Sequence, residues 1–218
     1  VITKKFNKKF SKVKSNYFIK KILYQKLNAK YIFVSNNFKF GNKREGNVKQ
    51  LIKNEKIYDY KIVNPKPLIL KNKIISSTLI RSLLEKGNLK KINILLNRNW
   101  SIEGTVQKGK QLGKKIGFPT CNIDIQDYVI AMPGVYSVRV HQKNKKNYLK
   151  AIANLGYRPT FNQKKILLEV HIFNFTRNLY NKYLSVEFIK FIRKEKKFSN
   201  VDQLKKQIQS DLEIAKRS

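Results

Sequence analysis

The sequence predicts an α+β chain, with a small α/β domain over residues 1–99 and an antiparallel barrel or sandwich, closed by a C-terminal helix, over 100–218. Three observations carry this. Strand, loop, helix and strand patterns follow one another between Tyr31 and Val63, the order of a parallel α/β sheet. After Trp100, segments 101–107, 135–140, 148–154, 166–173 and 183–193 are short, β-branched or aromatic, and separated by Gly, Pro or Asn turns. Val201, Leu204, Ile208, Leu212 and Ala215 then form one apolar stripe at helical spacing, behind a Ser199/Asp202 pair that resembles a capping box.

In chain order, Ser15 is a candidate cap for a helix carrying Phe18, Ile19, Ile22, Leu23 and Leu27. Tyr31 to Val34 reads as a buried strand and runs into the polar loop NNFKFGNKREGN. Ligands in parallel sheets sit at the carboxyl ends of strands, so Asn36 to Arg44 is a candidate binding loop. Val48, Leu51 and Ile52 mark another helix, and Tyr58 to Val63 another strand. Ser76 or Ser77 can cap a helix with Ile80, Leu83 and Leu84, which Gly87 stops, and Asn88 opens a second with Leu89, Ile92, Leu95 and Leu96. Ser76, Ser77 and Thr78 at that helix start, with Arg81 one turn on, read either as ordinary capping or as an anion site. The final helix reads as packing over the barrel.

The chain has 218 residues, 48 Lys plus Arg against 13 Asp plus Glu, and a formal charge of +35. Such an excess is the footprint of a polyanion binder. Here the lysines are spread along the whole length and travel with many Asn, Ile, Phe and Tyr, as AT-rich codon usage would also produce. Basic and aromatic residues do not gather in an RNA-binding signature. The single cysteine, Cys121, excludes an intrachain disulfide and a cysteine-based metal site. No apolar run approaches the ~18 residues that span a bilayer. Together these point to a soluble protein of the reducing cytoplasm. The chain opens on Val1 rather than methionine, which points to a longer or processed product.

The segment Gly104 to Asn122, GTVQKGKQLGKKIGFPTCN, holds four of the nine glycines and four lysines, and ends on Pro-Thr-Cys-Asn. Glycines let backbone approach a ligand, lysines bring charge, and a hydroxyl plus an amide oxygen can hold a hard cation. The combination suggests a nucleotide-phosphate site, although it is neither a Walker sequence nor GxGxxG; a basic hairpin is the alternative. Glu169 lies mid-strand in ILLEVHIF, where a carboxylate needs a partner or a task, such as taking a proton from an alcohol; an edge-strand glutamate pointing at solvent is the alternative. His171 shares its face and reads as structural; His141, opening a basic turn, reads as solvated. In FIRKEKKF, arginine and lysine beside Phe198 suit a planar anionic ligand; a solvated strand end is the alternative. NLGYRPTF places Arg158 and Thr160 in a turn fixed by Pro159.

Taken in order, GTVQKGKQLGKKIGFPTCN, PGVYSVRV, AIANLGYRPTF, LLEVHIFNF, LYNKYLSVEF, IRKEKKF and the last helix resemble riboflavin kinase over residues 100–216. NNFKFGNKREG and ISSTLIR are similar to the flavin loop and adenylyltransferase signature of the bacterial bifunctional riboflavin kinase/FAD synthetase. The resemblance implies a Greek-key barrel that transfers the γ-phosphoryl group of ATP to the 5′-hydroxyl of riboflavin, preceded by part of a Rossmann-like nucleotidyltransferase domain. It implies Glu169 as the catalytic glutamate, and Thr120 and Asn122 as the Mg²⁺ and ATP anchors. It also implies Gly109, Lys114, Gly117 and Tyr180 at the nucleotide, and Arg193, Lys196 and Phe198 at the flavin. Ser76, Ser77, Thr78 and Arg81 match ATP-binding positions of the adenylyltransferase half. Cys121 replaces the usual alanine and is small enough to fit.

The adenylyltransferase half departs further. No GxFDGxHxGH segment is present, both histidines lie in the barrel region, and Ser35 and Asn37 stand where the family has Gly and Asp. Riboflavin and ATP are the expected partners, without membrane or nucleic acid. A basic RNA-binding barrel, or a flavin-binding protein without turnover, are the alternatives. The chain is expected to form no FAD from FMN, ATP and Mg²⁺, and detectable FAD in that incubation refutes the expectation.

Overall fold

The computed structural model describes residues 2–109, 111–125, 128–142, 147–159 and 164–218, the side chains at 158, 159, 164 and 165 excepted. Asp127 and Thr160, and the side chain of Arg158, fall outside these. The chain divides into two compact units, Val1–Ile74 and Ile75–Ser218.

In the first unit, α1 (Lys8–Ser11) is capped by Asn7 and α2 (Ser15–Tyr17) continues as a π-helix over Phe18–Lys26. Ser15 is not the cap. Its buried side chain accepts from Gln50 at 3.1 Å and its N–H donates to Glu45 at 2.6 Å, so packing uses the groups that a cap would need. Strand β1 (Tyr31–Phe33), the pair β2 (Lys39–Phe40) and β3 (Gly46–Asn47), helices α3 (Val48–Lys53) and α4 (Glu55–Tyr58), and β4 (Lys61–Val63) follow. Strands β1 and β4 pair in parallel, as the pattern predicts, around a core of Ile19, Val34, Phe40, Val48, Leu51 and Tyr60. The strand at residue 31 is not buried on both faces, however. Its period-two alternation sends Ile32 toward the core and leaves Tyr31 and Phe33 exposed. Phe40 of the predicted binding loop turns inward and stacks on Phe38. A short hairpin, β5 (Ile69–Leu70) and β6 (Lys73–Ile74), ends the unit.

The division expected near residue 99 falls instead between Ile74 and Ile75. The reason is the helical hairpin, α5 (Ser77–Glu85) and α6 (Leu89–Leu96), whose Leu83, Leu84, Leu89 and Ile92 enter the barrel's own core cluster. Asn93 fastens it further: its side chain accepts from Trp100 N–H at 2.9 Å and donates to the Phe188 carbonyl at 3.2 Å.

The second unit continues with β7 (Ser101–Gln107), α7 (Leu112–Lys115), β8 (Cys121–Asp124), β9 (Gly134–Gln142), β10 (Tyr148–Pro159), β11 (Lys164–Ile172), β12 (Tyr183–Lys194) and α8 (Val201–Lys216). The strands close into an antiparallel barrel in the order β10-β11-β8-β7-β12-β9. Three consecutive hairpin strands with the fourth returning beside the first (β12-β9-β10-β11) form a Greek key. Alternate residues point inward: Ala151, Ala153 and Leu155 on β10, Leu168, Val170 and Ile172 on β11, Leu184, Val186 and Phe188 on β12. The sequence pattern missed β8, which is four residues long and opens on the polar pair Cys121–Asn122. His141, expected in solvent, is half-buried with Nε2 3.3 Å from a Glu187 carboxylate oxygen.

Candidate active site

Backbone register lays the chemistry-bearing residues in one row across the outside of the barrel. Because Leu168 and Val170 are inside, Glu169 between them is directed to the outer face. Directly opposite it stand Asn122 on β8 and Asn154 on β10. Asn122 in turn faces Gln107 on β7, Asn154 faces Val135 on β9, and Val135 faces Arg193 on β12. Directly opposed residues share a face. Glu169 is therefore neither a core carboxylate nor an edge-strand residue: it is half-buried on the central part of a closed sheet.

Although Asn122 is on the outer face it is 6% exposed, because the glycine-rich loop after β7 lies over it. A Cβ on Gly109 would overlap the Asn122 amide, so glycine is needed there for close approach. Gly113 likewise has no room for a Cβ against the Phe118 carbonyl. Asn122 Oδ1 is buried and has no hydrogen-bond partner among the described residues. An unsatisfied buried acceptor costs ~1–3 kcal/mol, so its retention points to a ligand that supplies the missing partner. Cys121, beside it, is pushed up to about 11 by burial and stays a thiol at neutral pH.

Between this loop, the barrel face and α8 lies a cavity of about 570 Å³, within the range of small-molecule sites. Leu112, Gly113, Lys115, Ile116 and Phe118 form one wall; Thr120, Val135, Ile152, Asn154, Glu169 and His171 form the floor. Arg193, Glu195, Lys196, Phe198 and, from α8, Val201, Leu204, Ile208 and Asp211 form the opposite wall. His171 Nδ1 lies 2.7 Å from the Pro119 carbonyl oxygen, which can only accept, so the ring donates there and holds the Pro-Thr turn. Its predicted structural role fits this contact.

At the far wall Arg193 is gripped by Asp211. Nε lies 3.0 and 2.9 Å from the two carboxylate oxygens, and a terminal nitrogen 2.7 Å from one of them. The guanidinium carbon is 5.8 Å from the Phe198 ring centroid. Lys196 Nζ reaches Gln207 Oε1 at 3.5 Å.

The cavity thus gathers Thr120, Glu169, Arg193, Lys196 and Phe198 from the sequence-predicted residues, with Asn122 on the adjoining strand. Lys114 is exposed on α7 and it is Lys115 that lines the wall. Gly117 adopts φ +94 with open space around it, so it makes a turn and no wall. Tyr180 lies off the cavity, 39% exposed, accepting from Gln111 of the loop at 3.1 Å. Ser76 caps α5, accepting from Leu79 N–H at 3.2 Å, and Ser77, Thr78 and Arg81 are exposed on that helix, none of them lining the cavity. Reading α8 as packing alone holds for Leu212 and Ala215, which cover Val135 and Ile152, but its first half walls the cavity. Sequence reasoning missed Asn154, Gln207 and Asp211. The signal for Asp211 was available: a carboxylate beside Leu212 on the apolar stripe of a helix.

The family model for riboflavin kinase matches residues 96–218, and that for FAD synthetase matches residues 1–79. The chain is 39% identical over 216 residues to the bifunctional riboflavin kinase/FMN adenylyltransferase of Haemophilus influenzae, covering 99% of this chain and 70% of that protein. It is 40% identical over 216 residues to the protein of that description from Buchnera aphidicola subsp. Schizaphis graminum, covering 98% and 69%. A crystal structure described as a macrolide-efflux protein from Streptococcus pneumoniae shares the fold, with TM-score 0.78 and 29% identity, over 98% of this chain and 68% of that one. Among the described residues no helix is long and apolar enough to cross a membrane. With a matching family model over its barrel and relatives at this identity covered to 70% and 69% of their own length, the chain belongs to the bifunctional riboflavin kinase/FMN adenylyltransferase family, and its barrel unit is a riboflavin kinase.

Proposed function

We propose that phosphoryl transfer from ATP to the 5′-hydroxyl of riboflavin runs along the outer-face row, with Glu169 as the base. The observation that carries this is the register Asn122–Glu169–Asn154–Val135–Arg193. Strands lie ~4.8 Å apart, so Glu169 is one strand from Asn122 and three strands, ~14 Å, from Arg193. A nucleotide held at the Asn122 end and a flavin ring held at the Arg193 end leave the ribityl tail lying across the floor, its terminal hydroxyl beside Glu169. The carboxylate takes the hydroxyl proton as the oxygen attacks the γ-phosphorus, and the bond to the β-phosphate oxygen breaks to release ADP. Phe198, Leu204 and Ile208 offer the ring apolar surface, while Arg193 and Lys196 offer donors. Lys115 and the backbone of the glycine loop face the phosphates.

The residues present fit Mg²⁺. Asn122 Oδ1 is a buried oxygen with no partner among the described residues, and Thr120, with its hydroxyl, immediately precedes the same strand. Two neutral oxygens suit an ion that takes most of its ligands from phosphate and water. When bound, it would neutralise charge on the β- and γ-phosphates.

Residues 1–74 are proposed as the FAD synthetase unit, with the α5–α6 hairpin serving the kinase barrel although its start matches the adenylyltransferase family. The test of the nucleotide end is Thr120→Val, which keeps shape and removes the hydroxyl. Expected is a fall of ~30-fold or more in kcat/KM for ATP, with the thermal midpoint within ~3 °C of the parent. Activity within threefold of the parent sinks the assignment of Thr120.

A further inference from the structure

We propose that Asp211 is a positioning residue for riboflavin: it fixes the plane of the Arg193 guanidinium, so that α8 carries part of the flavin site. The proposal rests on the reading that Arg193 faces the flavin ring. Asp211 is 2% exposed, and Arg193 and Gln207 donate to its two oxygens. Oδ2 accepts from Nε and a terminal nitrogen of Arg193 at 2.9 and 2.7 Å. Oδ1 accepts from Nε at 3.0 Å and from Gln207 Nε2 at 2.9 Å. The other terminal nitrogen of Arg193 donates to the Lys194 carbonyl at 3.0 Å.

All three nitrogens of one planar group are thereby held, by a carboxylate on α8 and by the backbone of β12. An arginine left to itself samples many rotamers, and an arginine held in this way meets a planar ligand without ordering cost. A buried ion pair is by itself weak evidence for stability, because desolvation offsets much of its attraction. Its geometry is better explained by what it orients. Asp211 and Arg193 both line the cavity, and the guanidinium lies over the Phe198 ring, so the clamp acts where a flavin would stack.

The experiment uses the full chain. Riboflavin affinity is read by fluorescence quenching, and KM for riboflavin and for ATP by FMN formation. Asp211→Asn turns one oxygen into an NH₂ facing guanidinium donors. Expected are a ~10-fold rise in riboflavin Kd and KM, an ATP KM within twofold of the parent, and no further loss when the change is added to Arg193→Ala. Should Asp211→Asn not fold, Gln207→Met, which removes the donor to Oδ1, is expected to raise riboflavin KM ~3-fold with ATP KM unchanged. Unchanged riboflavin affinity, an equal loss in the Arg193→Ala background, or parallel rises in both KM values with a lowered thermal midpoint overturn the role of Asp211. If Arg193→Ala itself leaves riboflavin affinity unchanged, the flavin-end reading falls and the proposal falls with it.

Discussion

Glu169→Gln reduces the kcat for FMN formation by ~10³-fold while leaving riboflavin binding within about threefold of the parent. The substitution keeps the shape and size of the side chain, so the row Asn122–Glu169–Asn154 and the inward packing of Leu168 and Val170 are undisturbed. It removes the negative charge and, with it, the capacity to accept a proton from the attacking hydroxyl. General bases contribute ~10²- to 10⁴-fold, and the outer-face position means that the change exposes no core and opens no cavity there. Quenching of riboflavin fluorescence by the variant, alongside lost turnover, separates a chemical role from a binding one. A loss below tenfold removes Glu169 as the base. A protein that bound flavin without turnover would show no difference between parent and variant in FMN formation.

Much of this site was legible because it sits on strands. Alternation of Leu168, Glu169 and Val170 places a carboxylate on the opposite face from two core residues, and the Pro-Thr-Cys-Asn run offers a hydroxyl and an amide oxygen close together in the chain. The pairing of Arg193 with Asp211 was not legible, since a contact between positions 18 residues apart in the chain depends on how α8 settles on the barrel. The stripe Leu204, Ile208, Leu212, Ala215 tells that a helix packs, but not that its first half stands over a cavity. The same limit displaced the domain boundary. Leu83, Leu84, Leu89 and Ile92 show that two helices bury one face each, while nothing in their spacing says which core receives them. Short polar strands are the remaining gap. β8 has only Ile123 to mark its inward face, so periodicity over four residues could not distinguish it from the loop before it.

Asn122→Leu separates function from stability at the nucleotide end, because the two are expected to move in opposite directions. In the parent, Oδ1 is buried without a hydrogen-bond partner among the described residues, an arrangement that disfavours the folded state by ~1–3 kcal/mol unless a ligand satisfies it. Leucine fills a similar volume, has no polar atom to leave stranded, and remains under the same loop at Gly109. The thermal midpoint of the ligand-free variant is therefore expected to equal or exceed that of the parent. FMN formation is expected to fall by ~10²-fold or more, since the amide oxygen proposed to meet the cation and phosphates is gone. Addition of ATP with Mg²⁺ should raise the parent's midpoint and leave that of Asn122→Leu almost unmoved, because a ligand stabilises only the state it binds. A variant that loses stability along with activity would show that Asn122 serves the loop rather than the nucleotide. The side chain would then act as a packing surface for the loop, whose Gly109 leaves no space for any larger residue against the amide.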